Sequence, residues 1–197
     1  MSNVLVRSIG GFAGSTYPHL QRQLDAGLRQ AGYHVEALEL PDNEAPDYET
    51  CMAFLQAQYQ GLESGVLILH SLSSRLFLLS VDRLRSQGRL NQPLVDTAVL
   101  LAPANGRYIA DWVPEVAAFF QWDIWVPSLE GSARRLLIAA SYNDVHWEEA
   151  ESDLAEFRKQ SGIEVLVLEG QSHLNEADVS GGLQDVQAWI ELVIPCR

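Results

Sequence analysis

The sequence predicts an α/β protein built on a mostly parallel sheet with helices on both faces. Six short apolar runs rich in β-forming residues recur along the 197-residue chain. Segments with helical spacing of apolar residues lie between these runs, and the two kinds of segment alternate. Continuous apolar runs are typical of strands that are buried on both faces of a sheet. We therefore expect about six strands, connected by helices.

The predicted strands are spaced widely enough for a helix to lie between most of them. They cover residues 3–9, 34–40, 65–70, 97–102, 135–140 and 164–169. The predicted helices cover residues 17–31, 47–61, 72–87, 146–160 and 182–193. In the first helix Leu20, Leu24 and Leu28 recur every four residues and form one apolar stripe.

Residues 103–132 interrupt the alternation of strand and helix. This segment is rich in aromatic residues and contains Trp112, Trp122 and Trp125, while Pro114 and Pro127 prevent a long helix. We interpret it as a partly helical excursion and a candidate partial lid. The sequence has no internal repeat and no linker, which favours a single domain over residues 1–197.

Composition excludes several classes of partner and site. The formal net charge of −13 repels phosphate backbones and anionic lipid headgroups, so we expect neither nucleic acid nor a membrane surface as a partner. Cys51 and Cys196 have no C-x-x-C or zinc-ligand spacing, which predicts no disulfide framework and no metal site. With no secretory signal and no long apolar stretch, a cytoplasmic protein is expected.

Ser71, in the stretch LILHSLSS, lies where the third strand gives way to the next helix. A nucleophilic serine needs this position, because a tight turn exposes its Oγ and the helix N-terminus stabilises negative charge. The usual pattern is G-x-S-x-G, and Leu69 and Ser73 occupy its outer positions here. The alternative is that Ser71 only caps the helix.

His173 and Asp144 are the candidate base and acid. Each follows a predicted strand, the sixth and the fifth, so both should reach the sheet edge where Ser71 lies. Asp144 has an alternative role as a cap for a helix that begins near Trp147. The order Ser, Asp, His along the chain is that of α/β-hydrolases. His70 is adjacent to Ser71, and we expect it to support a catalytic side chain or to pack in the core.

The glycine-rich stretch SIGGFAGST follows the first strand. Its glycines allow close backbone approach, so the N–H of Phe12 could join the N–H of Leu72 as a pair of oxyanion donors. A dinucleotide-binding turn is the alternative, with Glu39 at the end of the second strand as the acidic partner. Ile9 stands where the first glycine of that motif belongs.

Together, the stretches GGFAGSTYPHLQRQL, LILHSLSS, AASYNDVHW and GQSHLN resemble the small α/β-hydrolases of the retinoblastoma-binding-protein-9 and YdeN type. The resemblance spans nearly the whole chain and implies a compact α/β-hydrolase fold with a minimal cap. It implies a catalytic triad of Ser71, Asp144 and His173, with Phe12 and Leu72 as oxyanion donors. The chain departs from the family at Leu69 and Ser73, where small residues are usual, and at Gly10, which is often His in wider α/β-hydrolases.

These observations predict a serine hydrolase that acts on a carboxylic ester, thioester or activated amide through an acyl-enzyme, with no metal or organic cofactor. The expected partner is a small-molecule acyl substrate, whose pocket Trp112, Trp122 and Trp125 could line unless they serve as ordinary core. The alternative is an idle hydrolase scaffold that binds a protein or a small ligand. The sequence leaves the natural substrate and the oligomeric state open.

Overall fold

The computed structural model describes residues 4–12, 19–105, 109–121, 126–147, 149–168, 170–174 and 182–195. Within these ranges the six expected strands are confirmed. They are β1 (Leu5–Ile9), β2 (His34–Leu38), β3 (Val66–His70), β4 (Val95–Leu101), β5 (Ala133–Ala140) and β6 (Ile163–Val167). Every pair of neighbouring strands runs parallel, so the expected mostly parallel sheet is parallel throughout its described strands.

Helices connect the strands. They are α1 (His19–Gln30), α2 (Tyr48–Ala57), α3 (Leu72–Ser86), α4 (Ile109–Trp112), α5 (Ala150–Phe157) and α6 (Gly182–Val193), and a 3₁₀ helix covers Pro114–Phe120. The Asp47 carboxylate caps α2 by accepting the Thr50 N–H at 2.8 Å. After α3, Gly88 has a φ of 65°, a left-handed conformation that ends the helix and favours glycine.

The strand order places the candidate site at a change of winding direction. The sheet runs β2-β1-β3-β4-β5-β6. The chain passes from β1 outward to β2, returns across β1 to β3, and then continues in the opposite direction. Ligands of open parallel sheets bind in the crevice at such a point, beyond the carboxyl ends of the strands. Ser71 follows β3 directly and therefore lies beside this crevice.

The sheet separates two apolar layers. Alternate residues of β3 point to opposite faces: Leu67 and Leu69 pack with α2, α3 and α5, whereas Val66 and Ile68 pack with α1 and α6. All four side chains are fully buried, and burial of each contributes roughly 1.5–3 kcal/mol. None of the helices in the described ranges combines the length and the apolar character that crossing a membrane requires.

Candidate active site

The backbone of Ser71 has the strained conformation of a tight turn between strand and helix. Its φ is 56° and its ψ is −116°, which for a residue with a side chain costs about 1–3 kcal/mol. The turn is held on both sides, because the Ser71 N–H donates to the Leu101 carbonyl and the Ser71 carbonyl accepts from the Arg75 N–H, both at 3.0 Å. The hydroxyl makes no capping bond to α3, so the helix-cap alternative does not describe this residue.

Ser71, His173 and Asp144 form one hydrogen-bonded chain. Ser71 Oγ lies 2.7 Å from His173 Nε2. On the other side of the ring, His173 Nδ1 lies 2.8 Å from Asp144 Oδ1 and 2.9 Å from Oδ2. A carboxylate only accepts, so Nδ1 carries the ring proton and Nε2 accepts the Ser71 hydroxyl. The Asp144 side chain is fully buried and the His173 side chain is 5% exposed, which shields both from water.

Asp144 belongs to a turn, and the predicted helix begins later than expected. The Asp144 N–H donates to the Ser141 carbonyl, the Trp147 N–H donates to the Asp144 carbonyl, and α5 starts only at Ala150. Asp144 Oδ1 accepts the backbone N–H of His146 at 2.8 Å, so Asp144 caps this turn rather than the helix. The turn leaves the carboxylate directed at His173.

The two residues that depart from the family pattern are both buried at the elbow. Leu69 is fully buried and belongs to the apolar layer beneath α3. Ser73 is also fully buried, and its Oγ accepts the His70 N–H at 2.9 Å. The same Oγ lies 3.0 Å from two carbonyl oxygens, those of Ile9 and His70, to one of which it donates. Ser73 Oγ therefore lies between the end of β3 and the end of β1, within hydrogen-bonding distance of both.

The glycine-rich loop after β1 packs directly against Ser71. A Cβ added at Gly11 would lie 2.7 Å from the Ser71 Cβ and 3.3 Å from its Oγ, so only glycine fits there. Gln21 Nε2 donates to the Ile9 carbonyl at 3.1 Å, which fixes the start of the loop from α1. The half-buried Phe12 comes next and packs against the apolar layer that contains Leu69 and Leu72. Glu39, the acidic partner in the dinucleotide alternative, is exposed.

Leu72 is the first residue of α3. The N–H groups in the first turn of a helix have no acceptor within the helix. The Leu72 N–H accordingly has no acceptor within α3, and its role as an oxyanion donor stays a prediction. Residues 13–18, which complete the glycine-rich stretch, lie outside the described residues.

Two further histidines surround His173. The His146 ring meets the His173 ring edge to face, with centroids 4.4 Å apart, and the His70 ring lies 5.2 Å from it. Burial lowers the pKa of His70 to about 3, helped by the nearby His173. Burial and His173 also lower the pKa of His146. Both neighbours are therefore neutral at pH 7 and put no fixed positive charge beside the candidate base.

A buried polar network that was not predicted from the sequence lies behind the Asp144 turn. Arg75 Nη1 donates to Asn105 Oδ1 at 2.6 Å, and Asn105 Nδ2 donates to Asp153 Oδ2 at 2.9 Å. The same Asp153 oxygen accepts from Trp147 Nε1 at 2.7 Å. These bonds join α3, the loop after β4, α5 and the Asp144 turn. One signal was available: an arginine in the apolar helix sequence SSRLFLL needs buried polar partners.

The structure leaves the predicted tryptophan pocket unassigned. Trp122 and Trp125 lie outside the described residues, as does the side chain of Trp112. The described part of the excursion contributes Phe119, which is fully buried, and Phe120, whose ring lies 5.4 Å from the Arg75 guanidinium. This segment therefore packs against the first turns of α3, close to Ser71.

Comparison with known proteins identifies the family and the fold of this chain. The sequence profile of the serine hydrolase family matches residues 6–191. The fold is similar to that of the ydeN gene product from B. subtilis, with a TM-score of 0.74 and 20% identity, covering 96% of this chain and 98% of that one. A YdeN-like hydrolase from Pectobacterium atrosepticum gives a TM-score of 0.63 at 18% identity, covering 98% and 92% of the two chains.

Est1E from Butyrivibrio proteoclasticus gives a TM-score of 0.69 at 12% identity, covering 98% of this chain and 89% of that one. No functionally curated protein matches the sequence. The neighbours share the α/β-hydrolase fold expected from the sequence, and the YdeN-type resemblance is confirmed.

Proposed function

This chain belongs to the serine hydrolase family, and we propose that it cleaves a carboxylic ester, thioester or activated amide through an acyl-enzyme on Ser71. The observation that carries the proposal is the hydrogen-bonded chain from Ser71 Oγ through His173 to Asp144. A serine hydroxyl is a weak nucleophile until an adjacent base takes its proton. At 2.7 Å, His173 Nε2 is within the range that this transfer needs.

The reaction follows from these positions. Ser71 Oγ attacks the substrate carbonyl carbon while its proton moves to His173 Nε2, and Asp144 stabilises the imidazolium that forms. The backbone N–H groups of Phe12 and Leu72 hold the carbonyl oxygen as it becomes negative. When the intermediate collapses, the leaving group takes the proton from His173. Water then attacks the acyl carbonyl on Ser71 while His173 Nε2 accepts a proton from it. The bond to Ser71 Oγ breaks as His173 returns the proton to that oxygen, and the carboxylic acid leaves.

The substrate class rests on the chemistry of the site. The arrangement supplies a nucleophile, a base and hydrogen-bond donors for an oxyanion, which suits acyl transfer and requires no metal or organic cofactor. One of the similar solved structures is named as the esterase domain of a Rhodothermus marinus protein. A small-molecule acyl substrate is therefore the proposed partner, and the tryptophan-rich segment remains the proposed source of its apolar pocket.

The alternative of an idle scaffold depends on Leu69 and Ser73 disturbing the elbow. Leu69 is accommodated in the core, and Ser73 adds hydrogen bonds to the elbow instead of disturbing it. No observation in the described part of the chain favours the idle scaffold over the hydrolase.

Steady-state hydrolysis of p-nitrophenyl acetate, p-nitrophenyl butyrate and an acyl thioester tests the proposal. We expect turnover by the wild type and none by Ser71→Ala. Asp144→Asn should lower kcat about 10⁴-fold, because an amide favours the wrong tautomer of His173. Asp185→Asn, at an exposed position in the first turn of α6, is the matched control and should retain wild-type kcat. Turnover that survives Ser71→Ala would contradict the proposal.

A further inference from the structure

The loop that carries His173 has a backbone conformation that its residues do not favour. Ser172 and Leu174, on either side of His173, have φ values of 48° and 57°, and Gly170 has a φ of 72°. Residues with a side chain rarely adopt a positive φ, because the Cβ then crowds the backbone. Contacts from the surrounding structure must therefore hold residues 170–174 in place.

Part of this support comes from the loop after β5. Ser141 Oγ accepts the Gln171 N–H at 3.3 Å, and Asn143 Oδ1 accepts the Ser172 N–H at 3.2 Å. These bonds act on the residues before His173. They link the loop to the segment that also carries Asp144, the hydrogen-bond partner of His173 Nδ1.

His70 supplies the support at His173 itself. Its Nε2 lies 3.0 Å from the His173 carbonyl oxygen. A carbonyl only accepts, so His70 carries its ring proton on Nε2 and its Nδ1 is a lone pair. That Nδ1 is buried and has no hydrogen-bond partner among the described residues. A buried polar atom without a partner is costly, so apolar packing alone does not account for a histidine at this position.

We propose that His70 is a positioning residue that sets the location of His173 relative to Ser71. His70 and Ser71 are adjacent in the chain, and together they contact His173 twice, at its carbonyl oxygen and at its ring Nε2. Two contacts fix the orientation of His173 more firmly than either contact alone. The effect of His70 on the reaction rate rests on the proposed hydrolase function, whereas its effect on the loop does not.

Two amide substitutions separate the hydrogen bond from the volume of the side chain. The amide nitrogen of Gln reaches about as far from the backbone as Nε2 of His, so His70→Gln can still donate to the His173 carbonyl. The amide of Asn reaches only as far as Nδ1, so His70→Asn cannot. His34→Asn, at an exposed histidine on the edge strand β2, is the matched control.

The measurements are ester hydrolysis kinetics and amide hydrogen exchange of the peptide that contains residues 170–174. We expect His70→Asn to lower kcat about 10- to 100-fold with little change in KM, and to raise exchange in this peptide. His70→Gln should restore both towards wild type, and His34→Asn should change neither. Equal kcat and exchange in all variants would overturn the proposal, as would equal loss in the Gln and Asn variants.

The exchange measurement keeps the two proposals separate. If the wild type hydrolyses no ester or thioester, the proposed function fails, but increased exchange in His70→Asn and its reversal in His70→Gln would still support His70 as the residue that holds the loop. If the wild type is active and His70→Asn has normal kcat and exchange, the proposed function stands and the positioning role of His70 is wrong.

Discussion

The buried His70 predicts a loss of stability in acid that one substitution can isolate. In the folded protein burial lowers the pKa of His70 to about 3, whereas in the unfolded chain it returns to its ordinary value of 6.5. At a pH between these two pKa values, His70 binds a proton in the unfolded state but not in the folded state. Stability is therefore unaffected well above pH 6.5 and falls as the pH drops below it.

The size of this loss at pH 5 depends almost entirely on the unfolded state. Because pH 5 lies well above the folded pKa, His70 remains neutral in the fold, and proton binding to the unfolded chain lowers the free energy of unfolding by about 2 kcal/mol between pH 8 and pH 5. His70→Gln removes this contribution. Other groups, including His146, titrate in both proteins and largely cancel from the comparison.

Urea unfolding at pH 8, 7, 6 and 5, followed by tryptophan fluorescence, measures the effect. We expect the wild type to lose about 2 kcal/mol more than His70→Gln between pH 8 and pH 5. A difference between the two proteins that stays constant over this range would refute the reasoning. It would mean that His70 is protonated as readily in the fold as in the unfolded chain.

Three further substitutions test the packing around the site. Gly11→Ala adds a carbon 2.7 Å from the Cβ of Ser71, so kcat for ester hydrolysis should fall at least about 10-fold. Gly61→Ala, at a φ of 80° in open space, is the control and should lower only the melting temperature. Equal kcat in the two variants would contradict the close approach of Gly11 to Ser71. Ser73→Ala leaves the buried His70 N–H at the end of β3 without its acceptor. It should lower the free energy of unfolding, measured in urea, by about 1–3 kcal/mol. An unchanged free energy of unfolding would show that this hydrogen bond does not stabilise the elbow. Asn105→Ala removes the side chain that bridges the buried Arg75 guanidinium and the buried Asp153 carboxylate. It should lower the free energy of unfolding in urea by about 3 kcal/mol. A loss below about 1 kcal/mol would contradict a stabilising role for this network.

The sequence predicted the elements of the fold well where one physical signal dominated. The run GVLIL is typical of a strand buried on both faces, and β3 is fully buried. The start of α5 was wrong by about four residues, because Asp144 and Trp147 form turns that satisfy the same backbone groups as a first helical turn. The same capping residues fit a turn and the start of a helix, so the sequence alone does not distinguish between the two.

The juxtaposition in the candidate site was predictable because parallel strands end at one edge. Ser71, Asp144 and His173 each follow a strand, so the topology brings them together. The effect of Ser73 was not predictable: the sequence showed only a departure from the usual small residue, whereas in the structure Ser73 Oγ lies 3.0 Å from the Ile9 carbonyl oxygen at the end of β1, 64 residues away in the chain. The Arg75 network is likewise made of side chains from separate elements, whose distances no sequence pattern encodes.

The proposed function requires Ser71 to be an activated nucleophile. Intact-mass analysis after incubation with a fluorophosphonate tests it most directly, with Ser71→Ala and His173→Ala measured alongside the wild type. We predict a single adduct on the wild type and none on either variant, because the reagent reacts only with a serine whose proton a base can take. A folded wild type that forms no adduct, or an adduct that persists in Ser71→Ala, would contradict the claim.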